Sequence, residues 1–281
     1  MRTKRQLDDP RALRDQAAGA VIFAFGATGP NPRPLAGPVL VGLLGALNMS
    51  EPTARATILR MRRGGWLTST RRGPVVEYAL AEPARRMASS VLAPILGERP
   101  TWDGAFQGLL FSIPESGRAY RDALRRAAVQ AGFGLLRPGL LVTTDESRWA
   151  RIEGLLAAAP EGSRLLRVVL RMAPEDARTA AAEAWPLEQL AATYRAQAAE
   201  LQRVAQRLRK APPSGAAAVR ATWEAMTPLS ATAIEDPTLP SELLPSDWPG
   251  SDVRAAIEAA GMVLGRGMQD YIAQLSAAGK R

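Results

Sequence analysis

The side chains best equipped to engage a partner are Thr53, Arg55, Arg60 and Arg63 in one short segment, with Arg71 and Arg72 a little further on. A guanidinium offers a rigid fork of donors that matches paired oxygens of a phosphate or the two acceptors on a guanine edge, and a threonine hydroxyl adds a smaller donor. Such groups act together only if rigid elements turn them outward. In Ser50-Glu51-Pro52-Thr53 the serine is placed to cap a helix whose first turn takes an acid and tolerates a proline, because the earliest amides have no partner inside the helix. Ala54, Ile58 and Met61 recur at spacings of four and three and share one buried stripe. That stripe turns Thr53, Ala56, Arg60 and Arg63 outward and sets Arg55, Leu59 and Arg62 along the flanks.

Gly64 or Gly65 can take the left-handed conformation that ends a helix, and residues 67–70 and 75–80 have strand character around Arg71-Arg72-Gly73-Pro74. An Arg-rich helix running into a hairpin with a basic tip is the pattern of a winged helix-turn-helix. Residues 17–27 and 35–47 are expected as its first two helices, the second interrupted near its start by Pro38. Trp66, at the start of a strand, is expected to seal the hairpin against the helices rather than to touch a ligand.

A general preference for arginine codons would scatter such clusters anywhere, since 33 of the 36 basic residues are arginine. The distribution argues otherwise. Residues 1–99 hold 15 Lys and Arg against 7 Asp and Glu, which is +8 of the net +9. A surface that displaces counterions from phosphates needs its charge concentrated in this way. The rest of the composition, 47% hydrophobic and 22% charged over 281 residues, is that of a folded chain long enough for two or three domains. There is no cysteine and no histidine, so thiolate metal sites, cysteine nucleophiles and imidazole acid–base catalysis are excluded. An enzyme is disfavoured, and no cofactor, metal site or catalytic residue is expected. The apolar run 17–27 is too short to span a bilayer, and with Asp8, Asp9 and Asp15 ahead of it and no evident cleavage site it is no signal peptide. A cytoplasmic protein without a membrane partner is expected.

Apolar spacing predicts a helix over 82–96, and Gly97-Glu98-Arg99-Pro100 then breaks the pattern. Beyond it the order is strand 105–113, helix 118–131, strands 133–136 and 140–143, helix 146–158 and strand 165–172. This β-α-β-β-α-β succession predicts the split βαβ, ferredoxin-like arrangement. Helices are expected over 187–209, 216–226 and 252–275, the last two separated by a proline-rich passage. The expected class is α+β, with three domains: a winged helix-turn-helix over 1–97, a ferredoxin-like domain over 98–175 and a helical domain over 176–281.

Several pieces in order carry a resemblance. Thr53-Ala54-Arg55 through Arg60 to Gly65-Trp66-Leu67, Trp102-Asp103-Gly104, Leu124-Arg125-Arg126, Gly132-Phe133-Gly134, Pro138-Gly139, Asp236-Pro237-Thr238-Leu239-Pro240, Leu243-Leu244-Pro245 and Trp248-Pro249-Gly250 together resemble the PaaX family of transcriptional repressors. The resemblance spans nearly the whole chain. It implies a GntR-like winged helix, a central domain similar to the CRISPR-associated ferredoxin-like nucleases, a helical C-terminal domain, and a homodimer on operator DNA. In the family's best-known members repression of aromatic-acid catabolism is relieved by phenylacetyl-CoA. Arg55 and Arg60 match family positions on the recognition helix. Thr53, Arg60 and Arg63 are candidates for base-edge contact, and Arg71 and Arg72 for backbone or minor-groove contact, against the plain alternative of a solvated helix face.

A CoA thioester would need cations for its phosphates and an apolar slot for its acyl group, which makes Arg121, Arg137, Trp102, Tyr194 and Trp248 candidates. Each aromatic has the competing role of filling a core. Where the related nucleases carry a metal-binding aspartate this sequence has Ser112, with Glu115 the one acid nearby, which disfavours a metal-dependent nuclease. Asp103 reads as a local cap of its own turn. The chain also departs from many relatives in having no histidine ahead of Asp236, where it reads Ala225-Met226-Thr227-Pro228-Leu229. DNA binding without an effector, as an architectural protein, is the alternative this leaves.

Overall fold

The computed structural model describes residues 16–29 and 31–278, apart from the side chain of Leu92; Lys4, Asp8, Asp9, Asp15 and Lys280 lie outside the described residues. The fold is α+β, with helices and two small antiparallel sheets. It divides into two compact units, residues 1–96, 194–234 and 250–281 in one, 97–193 and 235–249 in the other.

In the first unit, helices α1 (Gln16–Gly26), α2 (Gly37–Ala46) and α3 (Glu51–Arg63) precede strands β2 (Leu67–Arg72) and β3 (Val75–Leu80) and helix α4 (Glu82–Leu96). A two-residue strand β1 (Leu35–Ala36) pairs with β3, Leu35 opposite Tyr78 and Ala36 opposite Glu77, giving the sheet order β1-β3-β2. Residues 35 and 36 are thus strand where helix was expected. Pro38 sits in the first turn of α2, where a missing amide costs nothing, and Ala36 just ahead of the helix is extended, at φ −60° and ψ 142°.

The same unit takes in most of α8 (Leu187–Leu208) and α9 (Gly215–Glu235) and all of α10 (Gly250–Ala278). Helices α9 and α10 share the core of the first three: Ala218, Val219 and Met268 lie in one buried cluster with Val21, Phe25, Leu40, Leu44, Ile58 and Met61. Phe23 meets Trp223 edge to face at 5.2 Å. Helix α9 runs through Pro228, where a break was expected. Leu229, Thr232 and Ala233 are buried beyond the proline, and the Gln197 amide on α8 donates to the Pro228 carbonyl at 3.2 Å and to Thr232 at 2.8 Å. Packing outweighs the roughly 3 kcal/mol that an interior proline costs.

In the second unit, β4 (Ala105–Ser112), α5 (Arg118–Gln130), β5 (Gly134–Arg137), β6 (Leu140–Thr143), α6 (Trp149–Leu156) and β7 (Arg164–Arg171) follow in the predicted succession. Every pairing is antiparallel and the strand order is β5-β6-β4-β7. Alternation along β4 sends Leu109 and Phe111 to a cluster with α5 and α6, through Leu124, Ala128, Trp149 and Ile152. Phe106 points to the opposite face, where α7 (Pro174–Ala184) and Leu239, Leu243 and Leu244 cover it.

Candidate nucleic-acid interface

The turn between α2 and α3 is four residues long and specified at both ends. Asn48 takes φ 63°, its amide and that of Met49 reaching back to Gly45 and Leu44, which satisfies the last carbonyls of α2. Ser50 then caps α3: its hydroxyl accepts the Thr53 amide at 3.4 Å and lies 2.8 Å from the Thr53 hydroxyl. At the far end Gly65 has φ 76°, the Trp66 amide bonds to Met61 and the Gly65 amide to Arg62. This closure needs a left-handed residue, which glycine supplies without steric cost. It reverses the chain directly into β2.

Ala54, Thr57, Ile58 and Met61 are the buried residues of α3. Thr53, Arg55, Ala56, Leu59, Arg60, Arg62 and Arg63 are turned to the outside, as the periodicity predicts, with Ala56 on the open side of the helix. Pro52, Thr53, Ala56, Thr57 and Arg60 line a shallow, open depression on this face. The arginines differ in their commitments. Arg55 lies 2.7 Å from Glu51 one turn back, in an exposed ion pair worth a few tenths of a kcal/mol. Among the described residues neither Arg62 nor Arg63 has a carboxylate within ion-pair distance.

Strands β2 and β3 pair from Leu67 opposite Leu80 to Arg72 opposite Val75, which leaves the two-residue loop Gly73-Pro74. Gly73 has φ 61°, the conformation required at the first position of a tight hairpin loop whose twist matches the strands. Only Leu67 of β2 is buried. Its remaining residues, Thr68 to Arg72, stand in solvent, a feature that strand alternation does not foretell. Arg71 donates to the Gly73 carbonyl at 3.2 Å, and Arg72 lies 3.0 Å from Glu77 on the facing strand. Trp66 is half-buried against the helical core.

Two hydrogen bonds with no signature in the sequence hold this part of the unit from behind. Arg220 of α9 donates to the Ala46 carbonyl at 3.1 Å, at the end of α2 and immediately before the turn into α3. Gln269 of α10 donates to the Ala27 carbonyl at 2.7 Å, just past the end of α1. Both groups satisfy carbonyls that a helix end leaves without an internal partner.

Of the five effector candidates, Trp102, Arg121, Arg137 and Trp248 belong to the second unit and Tyr194 to the first. Trp102 and Trp248 pack on one cluster, Trp102 stacking with Phe106 at 4.7 Å. Arg121 pairs with Glu115 at 3.2 Å, and Arg137 pairs with Glu183, whose carboxylate holds the guanidinium's pKa above its usual value. Tyr194 is buried in the other unit. Asp103 accepts the Ala105 amide at 3.0 Å, the local cap expected of it.

A polar cluster lies beside Trp248. Arg99 is 2.8 Å from the fully buried Asp236 carboxylate, donates to the Leu239 carbonyl at 3.2 Å, and stands 5.0 Å above the Trp248 ring. Asp236 also accepts the amide of Thr238 at 2.7 Å, which holds Thr238 at φ 51°, an uncommon conformation for a β-branched residue. Arg148 donates to the carbonyls of Pro237, at 2.6 Å, and Gly132, and to Asp145 at 3.3 Å. Burial lowers the Arg148 pKa from its usual value. Burial alone would raise that of Asp145, but the bond from Ser147 and the Arg148 charge hold it below the usual carboxylate range.

Three descriptions of one family match in succession. "PaaX-like protein" covers residues 19–84, "PaaX protein central Cas2-like domain" residues 99–151, and "PaaX-like protein C-terminal domain" residues 185–274. The chain is 25% identical over 233 residues to the transcriptional repressor PaaX of Escherichia coli (strain K12), a match that spans 76% of this chain and 69% of that protein. An uncharacterized protein of Mycobacterium tuberculosis, Rv0674, has the same fold, with a TM-score of 0.54 and 22% identity over 90% of this chain and 98% of that one. The chain therefore belongs to the PaaX family of transcriptional repressors.

Proposed function

We propose that the protein is a DNA-binding transcriptional repressor of a catabolic operon for aromatic acids such as phenylacetic acid, acting in the cytoplasm as a homodimer on two half-sites. The observation that carries this reading is the exposed, basic face of α3, capped at both ends and followed at once by an exposed hairpin with two arginines at its tip. Three helices and a small sheet ordered β1-β3-β2 support assigning this region as a winged helix-turn-helix. Thr53, Arg60 and Arg63 then face base edges, Arg55 the backbone beside them, and Arg71 and Arg72 the backbone or minor groove. Family membership and the repressor it resembles support the sign of regulation.

The order β5-β6-β4-β7 along a β-α-β-β-α-β chain supports a ferredoxin-like reading of the second unit. We assign the release of DNA to an aryl- or acyl-CoA thioester, with Trp102 and Trp248 as the apolar candidates and Arg121, Arg137 and Tyr194 as further ones. A ligand acts here by binding one dimer geometry more tightly than another, and a few kcal/mol of such preference suffices.

The test is selection of bound fragments from random duplex DNA at near-physiological salt, followed by retesting of the selected site with the Arg60→Ala/Arg71→Ala double variant. Enrichment of two half-sites, lost with the variant, is expected; the selected site then serves to screen phenylacetyl-CoA and other thioesters for release. Equal affinity for every sequence would replace the repressor reading with architectural DNA binding.

A further inference from the structure

We infer that the depression on the open side of α3 receives the 5-methyl group of a thymine, and that Ala56 is the residue that makes room for it. Each half-site then carries a thymine within about two base pairs of the guanine that Arg60 takes. This rests on the DNA-binding reading proposed above and gives it a base preference that the arginines do not supply.

The depression is a product of side-chain size. Pro52, Thr53, Ala56, Thr57 and Arg60 line it. Thr53, Ala56 and Arg60 follow one another at spacings of three and four, so they share one side of the helix, with the shortest side chain of the three in the middle. Pro52, Thr53 and Ala56 are exposed, whereas Thr57 is buried and forms the inner wall. For a helix so rich in charge this recess has an apolar lining: a pyrrolidine ring, a methyl group and two threonines, of which Thr53 already has its hydroxyl 2.8 Å from that of Ser50 in the helix cap. It encloses about 460 Å³ and is open on its outer side. A free small molecule would stay wetted over much of its surface there, unlike a ligand in a concave site; the floor of a DNA groove would close the opening.

Charge selects the occupant. Arg60, Arg62 and Arg63 lie on the same helix, and its one acid, Glu51, is paired with Arg55. An apolar recess bordered by guanidinium groups suits a partner that is anionic overall and presents a single apolar group. The major groove of a duplex does so only at thymine. Guanine, adenine and cytosine offer donors and acceptors there, while thymine adds its 5-methyl, for which alanine and the threonine methyl are the fitting contacts. Ala56 and Arg60 are one turn apart, about 6 Å along the axis, and stacked bases are about 3.4 Å apart, which sets the spacing between thymine and guanine. A longer side chain at position 56 would fill the recess and hold the helix off the base edge.

Deoxyuridine is thymidine without the methyl, so replacing each thymine of the selected site in turn removes that group and leaves the hydrogen-bonding edges intact. With the full-length protein in fluorescence anisotropy, one position per half-site is expected to lose about fourfold in affinity, and about fifteenfold when both half-sites are changed, the effect of leaving one methyl uncovered in each. Ala56→Asn fills the recess from an exposed position and should keep the wild-type melting curve. It is expected to bind the thymine and deoxyuridine duplexes equally, measured at low salt, where phosphate contacts keep a weakened variant within range. A selected half-site without thymine, no deoxyuridine penalty at any position, or a penalty that Ala56→Asn retains in full would overturn the methyl assignment and leave the sequence-specific repressor standing. Selection that enriches no motif would overturn both.

Discussion

Replacing Asp236 by alanine should cost the second unit about 3–5 kcal/mol, the range for removing one partner of a buried ion pair. The Asp236 side chain is fully buried and that of Arg99 is 11% exposed, so little solvent screens the pair or hydrates the guanidinium left behind. Arg99 would keep the Leu239 carbonyl and the Trp248 ring, which places the loss inside that range rather than above it. The Thr238 amide would lose its acceptor as well, in a residue already held at φ 51°. Asp236→Asn keeps an acceptor for that amide while removing the charge, and should lose roughly half as much. Urea unfolding reads the difference if the signal comes from one unit. Trp102, Trp149, Trp185 and Trp248 belong to this unit and Trp66 and Trp223 to the other, so a Trp66→Phe/Trp223→Phe background restricts fluorescence to the unit in question. With a urea slope of about 2 kcal/mol per molar, the alanine variant's midpoint should fall by roughly 1.5–2.5 M and the asparagine variant's by about half that. A midpoint for Asp236→Ala within about 0.5 M of the parent, at unchanged slope, would limit the loss to about 1 kcal/mol and refute the cost expected of breaking a buried pair.

On the proposed reading, removing one arginine of the hairpin tip should flatten the salt dependence of DNA binding by about 0.9 in a plot of log affinity against log salt; Arg71→Ala and Arg72→Ala, measured by fluorescence anisotropy across a salt series, should each show it on any duplex. Arg60→Ala should instead weaken the selected site by about 1–3 kcal/mol more than unrelated DNA. Arg220→Ala removes a charge-assisted bond to the end of α2 and should destabilise the first unit by about 1.5–3 kcal/mol, seen as a lowered melting temperature; it should lower DNA affinity as well, since the turn into α3 begins at that carbonyl. Asp145 has a pKa below its unfolded value, so its ionised form contributes stability that is present above about pH 4 and lost as pH falls through the folded pKa. The gap in stability between the wild type and Asp145→Asn, followed by thermal melts, should therefore close on acidification below about pH 4 and not before.

Much of the segment from α3 through the hairpin was legible because its signals are local. Ser50 and Gly65 mark the ends of α3, Ala54, Ile58 and Met61 mark its inner face, and Gly73-Pro74 marks the hairpin, each through backbone chemistry confined to a few residues. What escaped was decided at long range or by weak signals. Helix α7 is rich in alanine, so its buried face of Ala177, Ala180 and Ala181 carries almost no hydrophobic contrast, although Pro174, Glu175 and Asp176 are good starting residues. Leu35 and Ala36 became strand because Tyr78 and Glu77, some forty residues on, supply their partners. Helix α9 passed Pro228 because burial beyond it outweighed the local penalty.

The exposure of Arg60 and Arg63 was readable from a helical period, but the placement of α3 rests on groups whose effect no period reveals. The cluster that takes in its inner face also holds Val219 of α9 and Met268 of α10, more than 150 positions away in sequence. Arg220 and Gln269 bond to the carbonyls that close α2 and α1. Arg220 ties the end of α2 to α9, and α3 follows α2 through a turn of four residues shaped by Asn48 and Ser50. A displacement of α9 against α2 would strain that bond, one turn of chain ahead of the basic face of α3. That makes the C-terminal helices part of what supports the segment that carries α3.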